Sequence, residues 1–582
     1  MSAMHHASAR RPEPVNDCDL LVVGSGAGGL SCAVTAAHLG LEVVVVEKEP
    51  VLGGTSAWSG GWLWIPRNPL ARAAGIEESP QAARRYLQEE LQEGFDPARV
   101  DMFLQQGPEM VEFFRRHTAV DFIDGNKIPD FHGRNPHAAG GGRSVCAAPF
   151  DGRELGADIA LLRPPLDLIS LWGMGIAGGA DLGHFMNVTR SAASLWHVTR
   201  RVGRHWWDLL RHGRGMQLVN GNALVARLLK SALERQVRLY PDCPVQRLLT
   251  DEGRIVGARV KTVDGEREIR ARRGVVLAAG GFPHDPERQR QLFAHVAGGD
   301  RHYSAAPPSN TGDGLRLGEA AGGRIGACAH ASGAWAPVSR VRRKDGSVGA
   351  FPHLAERAKP GIIGVLRDGR RFANEADSYH DLMSALLAAV PPGEPVEAWL
   401  ICDHRFQRRY GLGFSRPAPV PLFPYLGSGY LKRGATPAEL ARECGIDAGG
   451  LAATLEQYNR HAREGLDPAF GRGEVAYNRV NGDARQQPNP CVAPIEEGPF
   501  YGVKIVAGSL GTFAGLATDE FARVLDEGGT PLPGLYAVGN DMASIMAGRY
   551  PSGGITLGPA MTFGYVAAHD AAGVELGKLV DG

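Results

Sequence analysis

The chain has no surplus of either charge: 63 basic and 63 acidic residues leave a formal net charge of zero. That balance removes any bulk electrostatic argument for nucleic acid as a partner. Lysine is scarce, nine among the 63 basic residues, so arginine-rich segments partly reflect a general habit of composition. Cysteine is sparse too, with eight residues in 582, no C-x-x-C and no tight pairing. This spacing argues against a disulfide scaffold or a zinc site, so no metal is expected and a reducing cytoplasm fits. No stretch approaches the roughly 20 apolar residues that cross a bilayer. The opening "MSAMHHASARRPEPVND" lacks the apolar core of a secretion signal. The expectation is a soluble cytoplasmic protein of two to four domains, with a flexible N-terminus over residues 1–15.

Glycine is what the chain has in plenty. At 78 of 582 residues it is nearly twice the usual ~7%. No Gly-X-Y period explains it, so the excess reads as loops that approach a ligand closely. The first such loop follows a buried-strand run in "DLLVVGSGAGGLSCAVTAAHLGLEVVVVE", residues 19–47. Gly24 permits a tight turn, Gly26 lets backbone approach a pyrophosphate, and Gly29 lets helix and strand pack closely. The helix that opens at Ala27-Gly28 holds phosphates with free N–H groups and its dipole. A second strand ends at Glu47, about 20 residues on, where a carboxylate grips ribose hydroxyls. Strand, helix, strand and acid occur in the order that a dinucleotide site requires.

FAD and NAD differ in what comes next. "KEPVLGGTSAWSGGWLWIPRN" supplies Gly53, Gly54, Thr55, Ser56, Ser59, Gly60 and Gly61 just beyond the ribose. A plain βα unit would not need them; a flat ring lying against the loop would. Near the other end, "PLPGLYAVGNDMA" gives a strand-like run and then Gly539-Asn540. Two halves from opposite chain ends favour FAD, and no histidine in the first stretch offers a covalent link.

Together, "GSGAGG…EK", "GGTSAWSGG", "VVLAAGGF" (275–282), "NTGDG" (310–314), "GRRFANE" (369–375) and "GLYAVGN" resemble the fumarate reductase/3-ketosteroid dehydrogenase superfamily. Within it, "YPSGGITLG" is similar to the C-terminal signature of the 3-oxosteroid dehydrogenases. The resemblance implies non-covalent FAD and an α/β fold. A discontinuous Rossmann-like FAD-binding domain (16–282 and 492–582) would flank an inserted α+β substrate-binding domain (283–491). Lys48, Ala279, Gly280, Ile555 and Leu557 join the flavin-contacting set, and Val245 is implied to meet adenine through its backbone. A cyclic ketone or steroid substrate and an external electron acceptor are implied as partners.

The catalytic residues are carried over one by one. Fumarate reductases carry an arginine five residues after the Asn of the matching "NE" motif. Here that place, counted from Asn374, holds Tyr379. The ketosteroid dehydrogenases also place a tyrosine there, as the base that takes the α-proton. Tyr550 and Gly554 match the tyrosine and last glycine of a Y-P-x-x-G signature that polarises the carbonyl. In relatives a second tyrosine assists the base, but no tyrosine lies between Tyr86 and Tyr240. Phe131 or His132 occupies the approximate place, and only His132 has a hydrogen bond to offer. A desaturase of a 3-ketosteroid is therefore expected; a smaller cyclic ketone, fumarate-type chemistry and a non-catalytic flavin carrier are the alternatives.

One segment stands apart. In "NVTRSAASLWHVTRRVGRHWWDLLRH", Leu195, Val198, Val202, Trp206 and Leu209 fall at helical spacing. Such a stripe packs on its own domain or on a second subunit of a homo-oligomer, or lies on an anionic membrane as a peripheral contact. The preceding "LLRPPLDLISLWGMGIAGG" reads as a loop cover over the substrate mouth.

Overall fold

The structure is a computed structural model that describes residues 16–326 and 328–577; the stretch 1–15 and its expected flexibility lie outside the described residues. Leu20–Val23 and the four valines Val43–Val46 are apolar without alternation. They are buried on both faces, as strands inside a parallel sheet must be. Each such side chain contributes roughly 1.5–3 kcal/mol by leaving water.

These runs form β1 (Asp17–Val23) and β2 (Val43–Val46); the sheet continues with β3 (Arg238–Tyr240), β4 (Val245–Asp251), β5 (Arg254–Thr262), β6 (Gly265–Leu277), β7 (Arg523–Leu525) and β8 (Pro531–Ala537). The order is β7-β8-β6-β1-β2-β3, parallel from β8 to β3, with β4 and β5 as an antiparallel extension beside β6. Strands from both chain ends thus share one sheet, and β1 ends at its centre. The helices that bear on the site are α1 (Ala27–His38), α2 (Ala192–His212), α3 (Asn220–Glu234), α4 (Tyr379–Ala389), α5 (Ala476–Asn481) and α6 (Leu557–Ala572). Gly564 of α6 lies so close to α1 that a Cβ there would stand 2.5 Å from the Gly28 carbonyl oxygen. The last helix therefore braces the first.

A second sheet is antiparallel, in the order Val348–Pro352, Val338–Arg342, Phe500–Val506, Glu397–Cys402, Ile362–Val365, with Lys432–Gly434 beside Phe500–Val506. Phe500–Val506, which a boundary at 491/492 assigns to the FAD-binding side, runs through the middle of this sheet. Among the described residues no helix is long and apolar enough to cross a membrane.

Candidate active site

At the end of β1 the chain turns through Gly24 at φ +107°, where a Cβ would stand 2.2 Å from the Ala278 carbonyl oxygen. A side chain is excluded there twice, by conformation and by space. Gly29 is equally confined, its Cβ position lying 2.1 Å from the Gly24 carbonyl oxygen. Helix α1 then begins with no side-chain cap and no acid in its first turn, so its N-terminal N–H groups and positive end face the cleft. Ala27 N donates to Ser56 Oγ (3.0 Å). The Glu47 carboxylate is fixed in front of this turn. Its Oε2 accepts from Ser25 Oγ (2.6 Å) and Ser25 N (3.1 Å), and its Oε1 accepts from Glu49 N (3.1 Å).

All the expected cofactor residues line one cleft except Gly29, Gly53 and Ile555, which stand behind its wall. Lys48 is held by Thr311 Oγ1 (2.9 Å) and the Asp313 carboxylate, tying "NTGDG" to the end of β2. Asp541, which no motif marked, joins the C-terminal segment to the glycine turn after β6: it accepts from Ala279 N (2.5 Å) and Gly281 N (2.9 Å). Burial pushes its carboxyl up to about 6 against those two donors. A cradle of bare backbone, a helix N-terminus and a fixed ribose acid fits FAD. Leu166 and Ile169 of the expected loop cover also line the cleft. Tyr501 lies in the core of the second sheet, bonded to His404.

At one end of the cleft three phenols surround one benzyl ring. Phe131 lies 4.2 Å from Tyr477, 5.8 Å from Tyr550 and 5.9 Å from Tyr379, centroid to centroid. The Tyr379 and Tyr550 rings meet edge to face at 5.0 Å. The glycine-lined turn that carries Tyr550 is anchored by its carbonyls. Pro551 O accepts from the Tyr86 hydroxyl (2.6 Å) and Phe131 N (2.9 Å), and Gly554 O accepts from Trp64 N (3.1 Å). The Gly554 N–H donates to no acceptor among the described residues and lies on the cleft lining. Gly554 has φ +99° and its Cβ position is 2.6 Å from Trp64 N, so no other residue fits.

Tyr379 is the first residue of α4, whose cap Ser378 accepts from Asp381 N (3.1 Å). The "NE" motif is scaffold for it. Glu375 is buried between Arg371 (2.7 Å) and Arg472 (2.9 Å). Asn374 Nδ2 donates to Asn478 Oδ1 (3.0 Å), linking the Tyr379 loop to α5 and Tyr477. Burial pushes the Tyr379 hydroxyl well above the ordinary tyrosine range; the neighbouring phenols add to this and Arg357 opposes it. Arg357 is itself buried, and its guanidinium bonds only to carbonyls, those of His353 (2.8 Å), Glu375 (2.6 Å), Leu354 (3.0 Å) and Asp377 (3.1 Å). Its charge acts on Tyr477 and Tyr379 and also on the Glu356 and Asp377 carboxylates.

His132 stands elsewhere than expected. It is absent from the cleft lining, where Phe131 stands instead. Its ring is held between the Glu90 carboxylate and Asp381 Oδ2 (3.0 Å). The phenol nearest to filling the gap is Tyr477, brought by α5 from beyond residue 470. Burial opposes charge on His132, but Asp381 and Glu90 outweigh it and push the imidazole up to about 10. A histidine raised on folding contributes stability that is complete below its unfolded value of about 6.5. That contribution is lost as pH rises through about 10. His132→Gln should therefore lower the melting temperature at pH 6, a loss on the order of 3 kcal/mol. The gap from wild type should close as pH approaches 10; a gap that widens with pH would refute this account.

The FAD binding domain family matches residues 19–557. The 4-oxocyclohex-2-ene-1-carboxylate 5-dehydrogenase of Sinomonas cyclohexanicum is 40% identical, over 95% of this chain and 94% of that protein. The 3-oxosteroid 1-dehydrogenase of Mycobacterium tuberculosis (strain H37Rv) is 36% identical, over 95% of this chain and 98% of its own. Among solved structures, the 3-ketosteroid delta1-dehydrogenase of Sterolibacterium denitrificans, in complex with 1,4-androstadiene-3,17-dione, superposes with a TM-score of 0.87 at 36% identity, covering 96% of this chain and all of that one. With the cradle and its glycines, these likenesses place the chain in the FAD binding domain family and, within it, among the flavin-dependent oxidoreductases of the 3-oxosteroid dehydrogenase group.

Proposed function

We propose that the protein introduces a C=C bond α,β to the carbonyl of an uncharged cyclic ketone, with a 3-ketosteroid favoured. The observation that carries this reading is the convergence of Tyr379, Tyr477, Tyr550 and the unspent Gly554 amide on one cleft whose lining, among the described residues, carries no cation at that end. The cations on the lining are Lys48, paired with Asp313, and Arg163, 3.4 Å from Glu49; both lie beside the end of β2. A dicarboxylate or keto acid would find no counter-ion on the lining beside the phenols, because Arg357 lies off the lining with its donors spent on carbonyls, and burying an unpaired carboxylate is costly. The relative named for a cyclohexene carboxylate keeps a smaller ring as the second reading.

In the reaction, the Tyr550 hydroxyl and the Gly554 N–H donate to the ketone oxygen and stabilise the negative charge that develops on it. Tyr379, as phenolate, takes the α-proton. Tyr477 passes that proton outward, and the Arg357 charge favours the ionised base. Bound FAD would supply the acceptor for the β-hydride. The segment around the second sheet serves as the substrate-binding domain. Tyr477→Phe should lower kcat roughly 10- to 100-fold, the worth of a hydrogen bond to a charged group, with KM little changed.

The reading is tested by mixing the oxidised protein anaerobically with steroids, cyclohexanones, 4-oxocyclohexanecarboxylate and succinate while following flavin absorbance. Bleaching by 3-ketosteroids or neutral ring ketones is expected. Bleaching by the carboxylates alone would overturn the uncharged substrate class.

A further inference from the structure

Tyr379 opens α4 on the cleft lining, and neither of the next two residues joins it there. A helix turns about 100° per residue, so His380 and Asp381 leave in different directions. Asp381 goes to His132 (3.0 Å). His380, 4% exposed, goes toward the strand Gly333–Trp335. That strand pairs with Gly508–Thr512, and its ladder slips between Gly333 and Trp335. At the slip the Trp335 N–H donates to His380 Nδ1 (3.1 Å).

The same segment is the floor of the turn that carries Tyr550. His330 N donates to Ala547 O (3.1 Å), and Phe513 N donates to Ser332 O (2.8 Å). Gly548 lies so close that a Cβ on it would stand 2.1 Å from Ala331 N. The His380 ring lies 5.8 Å from the rings of both Tyr550 and Phe513. Residues 330–335 therefore support the oxygen-binding turn with their main chain and hold the helix of the base through one imidazole.

A main-chain N–H can only donate, so Nδ1 is without its proton and the ring is neutral, with its hydrogen on Nε2. Burial agrees, pushing the imidazole down to about 4 against the opposing influence of Asp381. A neutral ring adds no charge beside the phenols. It also takes no proton from a substrate, because it is off the cleft lining and its basic nitrogen is spent on Trp335. What it does is fix a distance.

We propose that His380 is a positioning residue: its Nδ1 bond to Trp335 sets the Tyr379 phenol against the Tyr550 hydroxyl, so that one ketone meets base and oxygen donor together. The catalytic consequence rests on the reaction proposed above. The geometric one, that this bond fixes the two rings at 5.0 Å, does not.

The test pairs two variants of the flavin-loaded full chain. H380N keeps an acceptor near the Nδ1 position, whereas H380L removes it and keeps the bulk. H380L should lower kcat about 10- to 100-fold, the effect of a misplacement of ~1 Å, with KM little changed. H380N should restore most of the loss. With ketone deuterated at the α-carbon, the isotope effect on kcat should rise in H380L, because a displaced base removes the proton more slowly. The effect of β-deuterium should not rise; loss of packing alone would not single out the α-position. Flavin absorbance shows that each variant is loaded. If H380L does not load, H380Q, whose amide reaches only the Nε2 position, takes its place.

Crystal structures of wild type and the two variants read the geometry directly. In H380L the Tyr379 ring should shift from Tyr550 by ~0.5 Å or more, the tolerance of a productive site, and in H380N it should not. Unmoved rings, a kcat within a factor of two or three of wild type, or equal losses in H380N and H380L would each overturn the proposal. If no ketone bleaches the wild-type flavin, the reaction fails, and the crystal structures alone decide whether His380 sets the spacing.

Discussion

Tyr550→Phe is expected to lower turnover by roughly 10²–10³, the worth of one donor in an oxyanion pair, while the flavin spectrum of the purified protein is unchanged. The asymmetry between the two readouts follows from what the side chain does. Its ring packs parallel to Phe131 at 5.8 Å, and against Phe513 and His380 at 5.8 Å each; phenylalanine keeps all three contacts. What is lost is one O–H at the end of a buried ring. The turn stays in place because its carbonyls accept from the Tyr86 hydroxyl and from the Phe131 and Trp64 amides, none of which uses the Tyr550 hydroxyl. The Gly554 N–H remains, so a residual rate is expected rather than none. The loss should fall on kcat, because the bond strengthens as charge builds on the oxygen. Turnover within a factor of two or three of wild type would remove Tyr550 from the chemistry. A KM rise at constant kcat would make it a simple ground-state contact.

The cofactor cradle was legible in the sequence because it is local. A strand, a glycine turn, a helix and an acid lie within thirty residues, and each glycine has a steric reason that can be stated in advance. The C-terminal half was legible for the same reason, since Tyr550 and Gly554 sit four residues apart on one turn. The third phenol was not. Tyr477 lies on a six-residue helix in "VAYNRV", with no pattern around it, and reaches the cleft because Asn478 is tied to Asn374 a hundred residues earlier. His132 was misplaced by one position. In an irregular segment nothing fixes which of two neighbours points inward, and here the main-chain bond from Phe131 to Pro551 turns the phenylalanine toward the cleft. Helix α2 shows a further limit. Periodicity identifies a face but not its direction, and the buried bonds of Arg201, His205 and Asp208 decide it the opposite way. The central strand of the second sheet was also hidden, because Phe500–Val506 reads as an ordinary strand until its partner Glu397–Cys402 is known.

Tyr379→Phe should abolish both desaturation and exchange of the ketone's α-hydrogens with deuterated water, a loss of roughly 10²–10⁴ or more in each. Exchange is the sharper assay, because it needs the base and the oxygen donors but no net oxidation. The pH dependence gives an independent readout. Burial holds the Tyr379 hydroxyl above the ordinary tyrosine value, so at neutral pH only a small fraction is ionised. That fraction grows tenfold per pH unit until the raised value is reached. The logarithm of kcat/KM should therefore climb with a slope near +1 through about pH 7–10, and the slope should vanish in the phenylalanine variant. A group paired with a carboxylate would behave oppositely, losing activity as it deprotonates, so a falling limb over this range would point to His132 and not to a phenol. Retained exchange in the variant would place the base on Tyr477, the other cleft phenol that Arg357 favours in ionised form. In that case Tyr477→Phe, and not Tyr379→Phe, should remove both exchange and turnover.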